Sequence, residues 1–233
     1  MKIIVTGATG LIGRTLVPCL REKGHEVIEC SRSLGHDLTD EKFVEEFFSK
    51  HRARALVNLF GLDDKKLITK HVCAFPLEEI RDYLETNVVS LYSVCSQFAF
   101  WNGGYFHDGI SIVNFSSIYS MVSPDPKLYS GKYKHVGYAV SKAAVNQLSK
   151  YLAVHLAADG DVARHACRVN TIICGGVRGE QEKEFVEKYN KKVPMGRMAQ
   201  PEELVGLVEF LCSPDSSYCT GGEYKIDGGY TAL

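Results

Sequence analysis

The chain holds no run of about 18 apolar residues, the length a membrane-crossing helix needs. It lacks an excess of either charge: 27 Lys and Arg face 28 Asp and Glu, for a formal net charge of −1. That balance offers no electrostatic argument for a nucleic acid or an anionic membrane surface as partner. The eight cysteines (19, 30, 73, 95, 167, 174, 212 and 219) form no Cys-x-x-Cys and do not cluster with histidine at metal-ligand spacing. Most stand in apolar stretches, where a reduced thiol acts as a small core residue, so neither a metal nor a disulfide framework is expected. Repeats, low-complexity tracts and linkers are also missing. Met1–Gly7 enters a strand pattern at once, so no signal peptide is expected. The expectation is a reduced, cytoplasmic protein with a small-molecule substrate.

What is present is alternation. Short apolar runs, rich in β-branched residues, occupy 2–6, 26–30, 55–59, 111–115, 168–173 and 223–226. Continuous apolar runs of this length suit strands buried on both faces. Helical patterns lie between them at 11–23, 40–50, 77–100, 137–158, 180–191 and 201–212. The last opens Pro201-Glu202-Glu203, a proline in the first turn followed by acids that suit a helix N-terminus. Strand–helix alternation over 233 residues predicts one α/β domain, a Rossmann-type doubly wound parallel sheet spanning residues 1–233. The segment 31–39 is too short for a full helix.

The first strand runs into Thr6-Gly7-Ala8-Thr9-Gly10-Leu11-Ile12-Gly13. Gly7 permits a tight turn, Gly10 lets backbone approach a pyrophosphate, and Gly13 allows close helix–strand packing. The helix that follows offers free N–H groups to phosphate. A glycine triplet is weak evidence alone, but here it stands between a strand and a helix, the context it requires. The second strand ends Cys30-Ser31-Arg32 rather than with an acid that could hold the ribose hydroxyl of NAD. A hydroxyl and a guanidinium suit a 2′-phosphate, which favours NADP over NAD; Arg14 could assist. Glu29 is the competing ribose ligand if the strand ends earlier.

Tyr138 and Lys142 stand four apart, on one face of a helix. With 12 Tyr and 17 Lys in the chain, chance alone supplies about one such pair, so its meaning depends on its surroundings. A phenol is a poor base near neutrality, and a lysine one turn away favours phenolate. The pair is therefore expected to bring the Tyr138 pKa down and to make it a proton relay.

With these residues in view, the chain resembles the short-chain dehydrogenase/reductase family over nearly its whole length. Thr6–Gly13 resembles the family's cofactor turn, with Thr9, Leu11 and Ile12 among its ligands. Asp37-Leu38-Thr39 resembles the acid-containing segment after the family's third strand, beside the adenine. Asn58-Leu59-Phe60-Gly61 stands in the place of its Asn-Asn-Ala-Gly. Asn87 falls where the family carries a catalytic Asn, and 112–117 resembles the strand that delivers the catalytic serine. Arg168-Val169-Asn170-Thr171-Ile172 through Gly175-Gly176 matches the segment beside the nicotinamide, and Gly196-Arg197, Pro201-Glu202-Glu203 and Asp227-Gly228-Gly229-Tyr230 match its C-terminal signatures. The resemblance implies a carbonyl–alcohol oxidoreductase with catalytic Asn87, Ser117, Tyr138 and Lys142. It implies a cofactor held by Gly7, Thr9, Gly10, Leu11, Ile12, Gly13, Ser31, Arg32, Asp37, Leu38, Asn58, Gly61, Tyr138, Lys142, Gly175 and Val177. Ser117 would bind the substrate oxygen, with Ser116 as its competitor. Lys142 would hold the nicotinamide ribose, and Asn87 a water. By the same resemblance the helices at 77–100 and 137–158 could form a homodimer or homotetramer interface.

Three features depart from the family pattern. The Gly-x-x-Gly-x-x-Gly spacing is more typical of its sugar-nucleotide members, which raises an epimerase or dehydratase as alternative, although the short C-terminal region leaves little room for their extra substrate domain. Cys174 stands where Pro usually precedes Gly-Gly. Ser117 and Tyr138 are 21 apart, against roughly a dozen residues in ordinary members; the excess lies in 123–135. That insertion carries Lys127, Lys132, Lys134, Tyr129 and Tyr133, which at the mouth of a site would suit a polar, phosphorylated or sugar-containing substrate. Similar insertions, with a similar Gly175-Gly176-Val177…Gln181 segment, link the resemblance to surface-glycan biosynthesis. Residues 178–192 are expected to form a lid. A cofactor-binding regulatory protein without turnover is the remaining alternative, against which the intact Ser117, Tyr138 and Lys142 argue.

Overall fold

Each apolar run becomes a strand because its side chains can be buried on both sides at once. The computed structural model describes residues 1–63, 71–106, 109–158 and 167–232. Its six strands are β1 (Lys2–Thr6), β2 (Glu26–Cys30), β3 (Ala55–Asn58), β4 (Ile110–Ser117), β5 (Cys167–Cys174) and β6 (Glu223–Ile226). They form one sheet in the order β2-β1-β3-β4-β5-β6. Every pairing is parallel.

The strand pleat sorts the core into two layers. Ile4, Leu56, Ile110 and Ile112 face one side, with Phe47 and Phe48 of α2 (Glu41–Lys50), Val94 and Phe98 of α4 (Ser90–Gly103) and Val145 and Leu152 of α5 (Val136–Ala158). Ile3, Val5, Val57, Val113 and Phe115 face the other, against Leu16 and Leu20 of α1 (Gly13–Glu22) and Val208 and Leu211 of α7 (Val205–Cys212). A third, smaller cluster joins Ile118, Leu128, Ile173, Tyr189 of α6 (Lys183–Asn190), Val193 and Met198.

Local signals set the helix ends. Asp40 caps α2, accepting from the N–H groups of Lys42 at 3.0 Å and Phe43 at 3.3 Å. Between β2 and Asp37 there is only a short 3₁₀ turn, Arg32–Leu34. Asp37 therefore follows the second strand, not a third, because no strand intervenes. The expected continuous helix at 77–100 is interrupted: α3 (Leu77–Leu84) passes through a π-helical turn, Glu85–Val89, into α4. The extra residue of a π turn rotates side chains out of helical register, and such turns recur at functional sites. Pro201 starts a 3₁₀ turn, Pro201–Leu204, ahead of α7.

In this order β1 is flanked by β2 on one side and β3 on the other, so chain direction across the sheet reverses there. Ligands of open parallel sheets bind in the crevice beyond the strand C-termini at such a switch point. The glycine turn, Asn58, Ser117 and Gly175 all lie at those C-terminal ends.

Candidate active site

The glycine turn is built as its spacing demands. Gly7 has φ +66°, and a Cβ there would lie 2.7 Å from the Phe60 nitrogen. At Gly13 a Cβ would lie 2.3 Å from the Ala8 carbonyl oxygen, so only glycine lets α1 start this close to β1. The α1 N-terminus has no side-chain cap; its Arg14 and Thr15 N–H groups donate to the Gly10 and Ile12 carbonyls, at 3.0 and 3.1 Å, so an anion would be met by the amides of the turn ahead of them. The Thr9 N–H donates to Ser31 Oγ at 3.1 Å, so the end of β2 and the Gly-rich turn form one surface. Arg32 is exposed beside it. Glu29, the competing ribose ligand, is paired with Arg21 of α1 at 2.8 Å. The Asp37 carboxylate accepts from the Thr39 N–H at 3.0 Å and hydroxyl at 2.8 Å, which holds it below the usual carboxylate range. This cradle fits a dinucleotide: the turn and Leu11-Ile12-Gly13 would hold the pyrophosphate, and Ser31 and Arg32 the adenosine ribose.

Two expected cofactor residues turn inward instead. Leu38 is packed in the core. The Asn58 side chain accepts from Thr6 Oγ1 at 2.9 Å and donates to Asn114 Oδ1 at 2.8 Å, and Asn114 donates to Ser149 Oγ at 2.9 Å. Asn58 points to the α4/α5 side of β3, so its amide ties strands to α5 rather than reaching the crevice. Gly61 does face the site: a Cβ there would meet Asn87 Oδ1 at 3.1 Å and Lys142 Nζ at 3.5 Å.

Asn87, in the π turn, is buried and fully engaged. Its Oδ1 accepts the Leu62 N–H at 2.6 Å, while Nδ2 donates to the Leu62 carbonyl at 3.1 Å and to Ser141 Oγ at 2.9 Å. It clasps the loop after β3 to the start of α5. Of the two serines, Ser116 Oγ donates into α5, to the Lys142 carbonyl at 3.0 Å. Ser117 Oγ accepts the Tyr119 N–H at 3.2 Å, and its hydroxyl lies near enough to the Tyr138 phenol to favour the phenolate. Tyr138 stands on α5 with Lys142 one turn on. The Lys142 ammonium donates to the Phe115 carbonyl at 3.0 Å and lies 5.9 Å from the centre of the Tyr138 ring.

The electrostatics differ from the sequence expectation. Burial pushes the Tyr138 phenol above its ordinary value; the Asp63 carboxylate adds to this, and the Ser117 hydroxyl opposes it. Lys142 does not bring the phenol down, because its ammonium is turned to the Phe115 carbonyl and burial outweighs it. Burial brings Lys142 itself from 10.5 to about 8, with Asp63 opposing. The Cys174 thiol, buried beside both, is pushed up to about 12, so it is inert.

The insertion is only partly where its composition suggested. Lys127 and Lys132 are exposed. Lys134 alone turns inward, 4.5 Å from the centre of the Tyr138 ring and paired with Asp63. Asp63 was not among the residues expected at the site; its one sequence signal is its position two residues past Gly61. Tyr129 joins Tyr119, hydroxyl to hydroxyl, at 2.7 Å. The insertion docks on α6, where Ser130 Oγ donates to Glu184 at 3.0 Å and Lys192 pairs with Asp125. Loop 177–181 crosses the glycine turn. Gln181 braces it, donating to the Val177 carbonyl and accepting from the Gly179 N–H, both at 2.8 Å, and a Cβ on Gly179 would lie 2.9 Å from Leu11 Cδ1. Gly175 donates to the Ile226 carbonyl at 2.8 Å, which fixes the end of β5 beside the site.

A hydroxyl, a phenol and an ammonium gathered beside a dinucleotide cradle are the groups that passing one proton to or from a carbonyl oxygen would require. The family model described as enoyl-(acyl carrier protein) reductase matches residues 13–231. A tropinone reductase homolog of Arabidopsis thaliana is 31% identical, over 98% of this chain and 91% of its own. An uncharacterized short-chain type dehydrogenase/reductase of Sinorhizobium fredii is 30% identical over 99% of this chain, which spans 44% of that longer relative. Among solved structures, a short-chain dehydrogenase of Leptospira borgpetersenii with bound NAD⁺ is 28% identical, with a TM-score of 0.83 over 99% of this chain and 92% of that one.

Proposed function

This chain belongs to the short-chain dehydrogenase/reductase family and is an oxidoreductase, and we propose that it interconverts a carbonyl and an alcohol on a small polar substrate, with Tyr138 as proton relay. The observation that carries this reading is Tyr138 itself: a phenol flanked by the Ser117 hydroxyl and, one helical turn on, by a buried lysine, at the switch-point end of the sheet. Ser117 binds the substrate oxygen and steadies its developing negative charge. Tyr138 gives or takes the proton at that oxygen. Lys142 supplies positive charge beside the phenol, and Asn87 holds the Gly61–Leu62 loop in place. The bound nicotinamide supplies or accepts the hydride.

NADP is the preferred cofactor in this reading, and NAD the alternative. Ser31 and Arg32 adjoin the glycine turn, and Glu29 is taken up by Arg21. The substrate is a sugar derivative of surface-glycan biosynthesis in the finest form of the proposal. Its support is the polar insertion docked over Tyr138, and the surviving part of that support is Lys134. The exposed Tyr92 and Phe100 of α4, with Val140, Tyr151 and Val154 of α5, favour a homodimer or homotetramer built on these helices.

The test is a panel of carbonyls and alcohols, weighted toward amino and phosphorylated sugars and read by nicotinamide absorbance with both cofactors. Wild type should turn over at least one compound. Tyr138→Phe should lower kcat by about 10²–10⁴ with cofactor binding intact. Arg32→Ala should weaken NADPH binding far more than NADH binding. A fully active Tyr138→Phe variant would overturn the mechanism, and equal losses for the two cofactors would remove the NADP preference.

A further inference from the structure

Two lysines flank the Tyr138 ring, and the nearer one lies outside the Tyr-x-x-x-Lys pair. Lys134 Nζ is 4.5 Å from the ring centre, against 5.9 Å for Lys142. The Lys134 side chain is only 10% exposed, and its ion-pair partner Asp63 is 44% exposed. Asp63 follows Leu62, whose N–H and carbonyl are both held by Asn87. One wall of the site is thus a sequestered cation lying on the face of the reacting phenol, with its counter-ion on the solvent side.

A cation this sheltered requires a partner, because a charge left alone out of water is costly. The aromatic face supplies part of the compensation and a carboxylate the rest. A carboxylate open to solvent is a replaceable partner: an ion pair that is half in water contributes little, so exchanging one anion for another changes little. A carboxylate or phosphate on an incoming molecule can take the place of Asp63 without leaving Lys134 uncompensated. Lys127 and Lys132 do not share this position, since both are exposed.

We propose that Lys134 is the anchor for an anionic group on the carbonyl substrate, and that Asp63 is the resident counter-ion this group displaces. The inference rests on the oxidoreductase reading and narrows its substrate class to carbonyls carrying a carboxylate or phosphate within reach of Tyr138. It makes Lys134 a specificity residue supplied by the insertion.

The experiment measures binding, so it does not depend on turnover. 4-Formylbenzoate and its methyl ester present the same carbonyl with and without an anion. Their Kd values are measured by calorimetry on the full chain loaded with NADP⁺. Wild type should prefer the acid by about tenfold, as expected when one charge-assisted contact is present for one ligand only. Lys134→Met should abolish the preference and Lys134→Arg should retain it. Asp63→Asn should widen it by about threefold by removing the competitor. Lys127→Met should leave it as in wild type. No acid preference in wild type, a preference that survives in Lys134→Met, or a narrowing in Asp63→Asn overturns the anchor. Failure of every compound in the carbonyl and alcohol panel, with the acid preference intact, overturns the carbonyl–alcohol reading alone.

Discussion

A lysine in a protein interior costs stability for as long as it stays charged, and Lys142 illustrates the cost of a working site. Its folded value is about 8 against 10.5 for the free side chain, with burial as the cause. Below pH 8 both folded and unfolded chains carry the charge, and the folded chain bears the full penalty. Between pH 8 and 10.5 the folded state releases its proton while the unfolded state keeps it, so the unfolded state binds more protons and stability rises with pH. Lys142→Met removes this linkage. The full shift corresponds to about 3 kcal/mol, and the lost hydrogen bond to the Phe115 carbonyl subtracts about 1. The variant should therefore be more stable than wild type by about 2 kcal/mol at pH 7, with the gap closing toward pH 10.5. Tyr138 titrates with the opposite sign above pH 10, but similarly in both proteins. Urea midpoints across this range check the idea; a pH-independent difference would sink it. At this scale the sequence was legible where spacing sets position, and the structure brings Tyr138, Lys142 and Ser117 to one place. The sequence offered Lys134 only as one of three lysines of the insertion and was silent on Asp63, because their pairing joins positions 71 apart that no local pattern connects. It misjudged the Tyr138 phenol because spacing reveals a neighbouring charge but not the depth of burial that outweighs it.

Elements were legible in proportion to how much of their cause is local. Strands read correctly to within a residue or two because burial on both faces leaves continuous apolar runs: β3 ends one residue early at Asn58, and β4 and β5 each start one residue early, at Ile110 and Cys167, and extend to the polar Ser117 and to Cys174 at their C-terminal ends. The break between α3 and α4 was hidden, because a π turn is imposed by what Asn87 must reach across the site. The same distinction separates two glycines. Gly13 is required by contact: an added Cβ meets the Ala8 carbonyl carbon at 2.5 Å, and that atom is fixed backbone of the turn. Gly206, inside α7, has open space around the same position. Gly13→Ala should therefore destabilise by about 1–3 kcal/mol and weaken NADPH binding, because the turn must shift. Gly206→Ala should stabilise by roughly 0.5–1 kcal/mol through helix propensity alone. Thermal melts and cofactor fluorescence read both, and equal effects of the two substitutions would contradict the packing argument.

The whole molecule divides into a sheet held between two large apolar layers and a smaller cluster attached at the active-site end. That third cluster gathers Ile118 and Leu128 from the segments after β4 with Tyr189, Val193 and Met198 from α6 and the chain beyond it. Polar ties bind the same two parts: Lys192 to Asp125, and Lys188 to Ser130 at 2.9 Å. A small apolar cluster, an ion pair and hydrogen bonds hold this unit, so it should open at lower free energy than the sheet, and its two parts should open together. The large layers position Ser117, Tyr138 and Lys142, and the third cluster is expected to open without disturbing the sheet. Amide exchange under native conditions provides the measurement. Residues 118–129 and 185–198 should share one opening free energy, well below that of β4 and α5. NADPH should slow exchange in both segments together, because the Val177–Gln181 loop that leads into α6 lies against Leu11 of the glycine turn. Asp125→Ala should speed exchange in both segments by a similar factor and leave β4 unchanged. Independent opening of the two segments would mean that the insertion is a separate surface loop, and that it does not close over the site with α6.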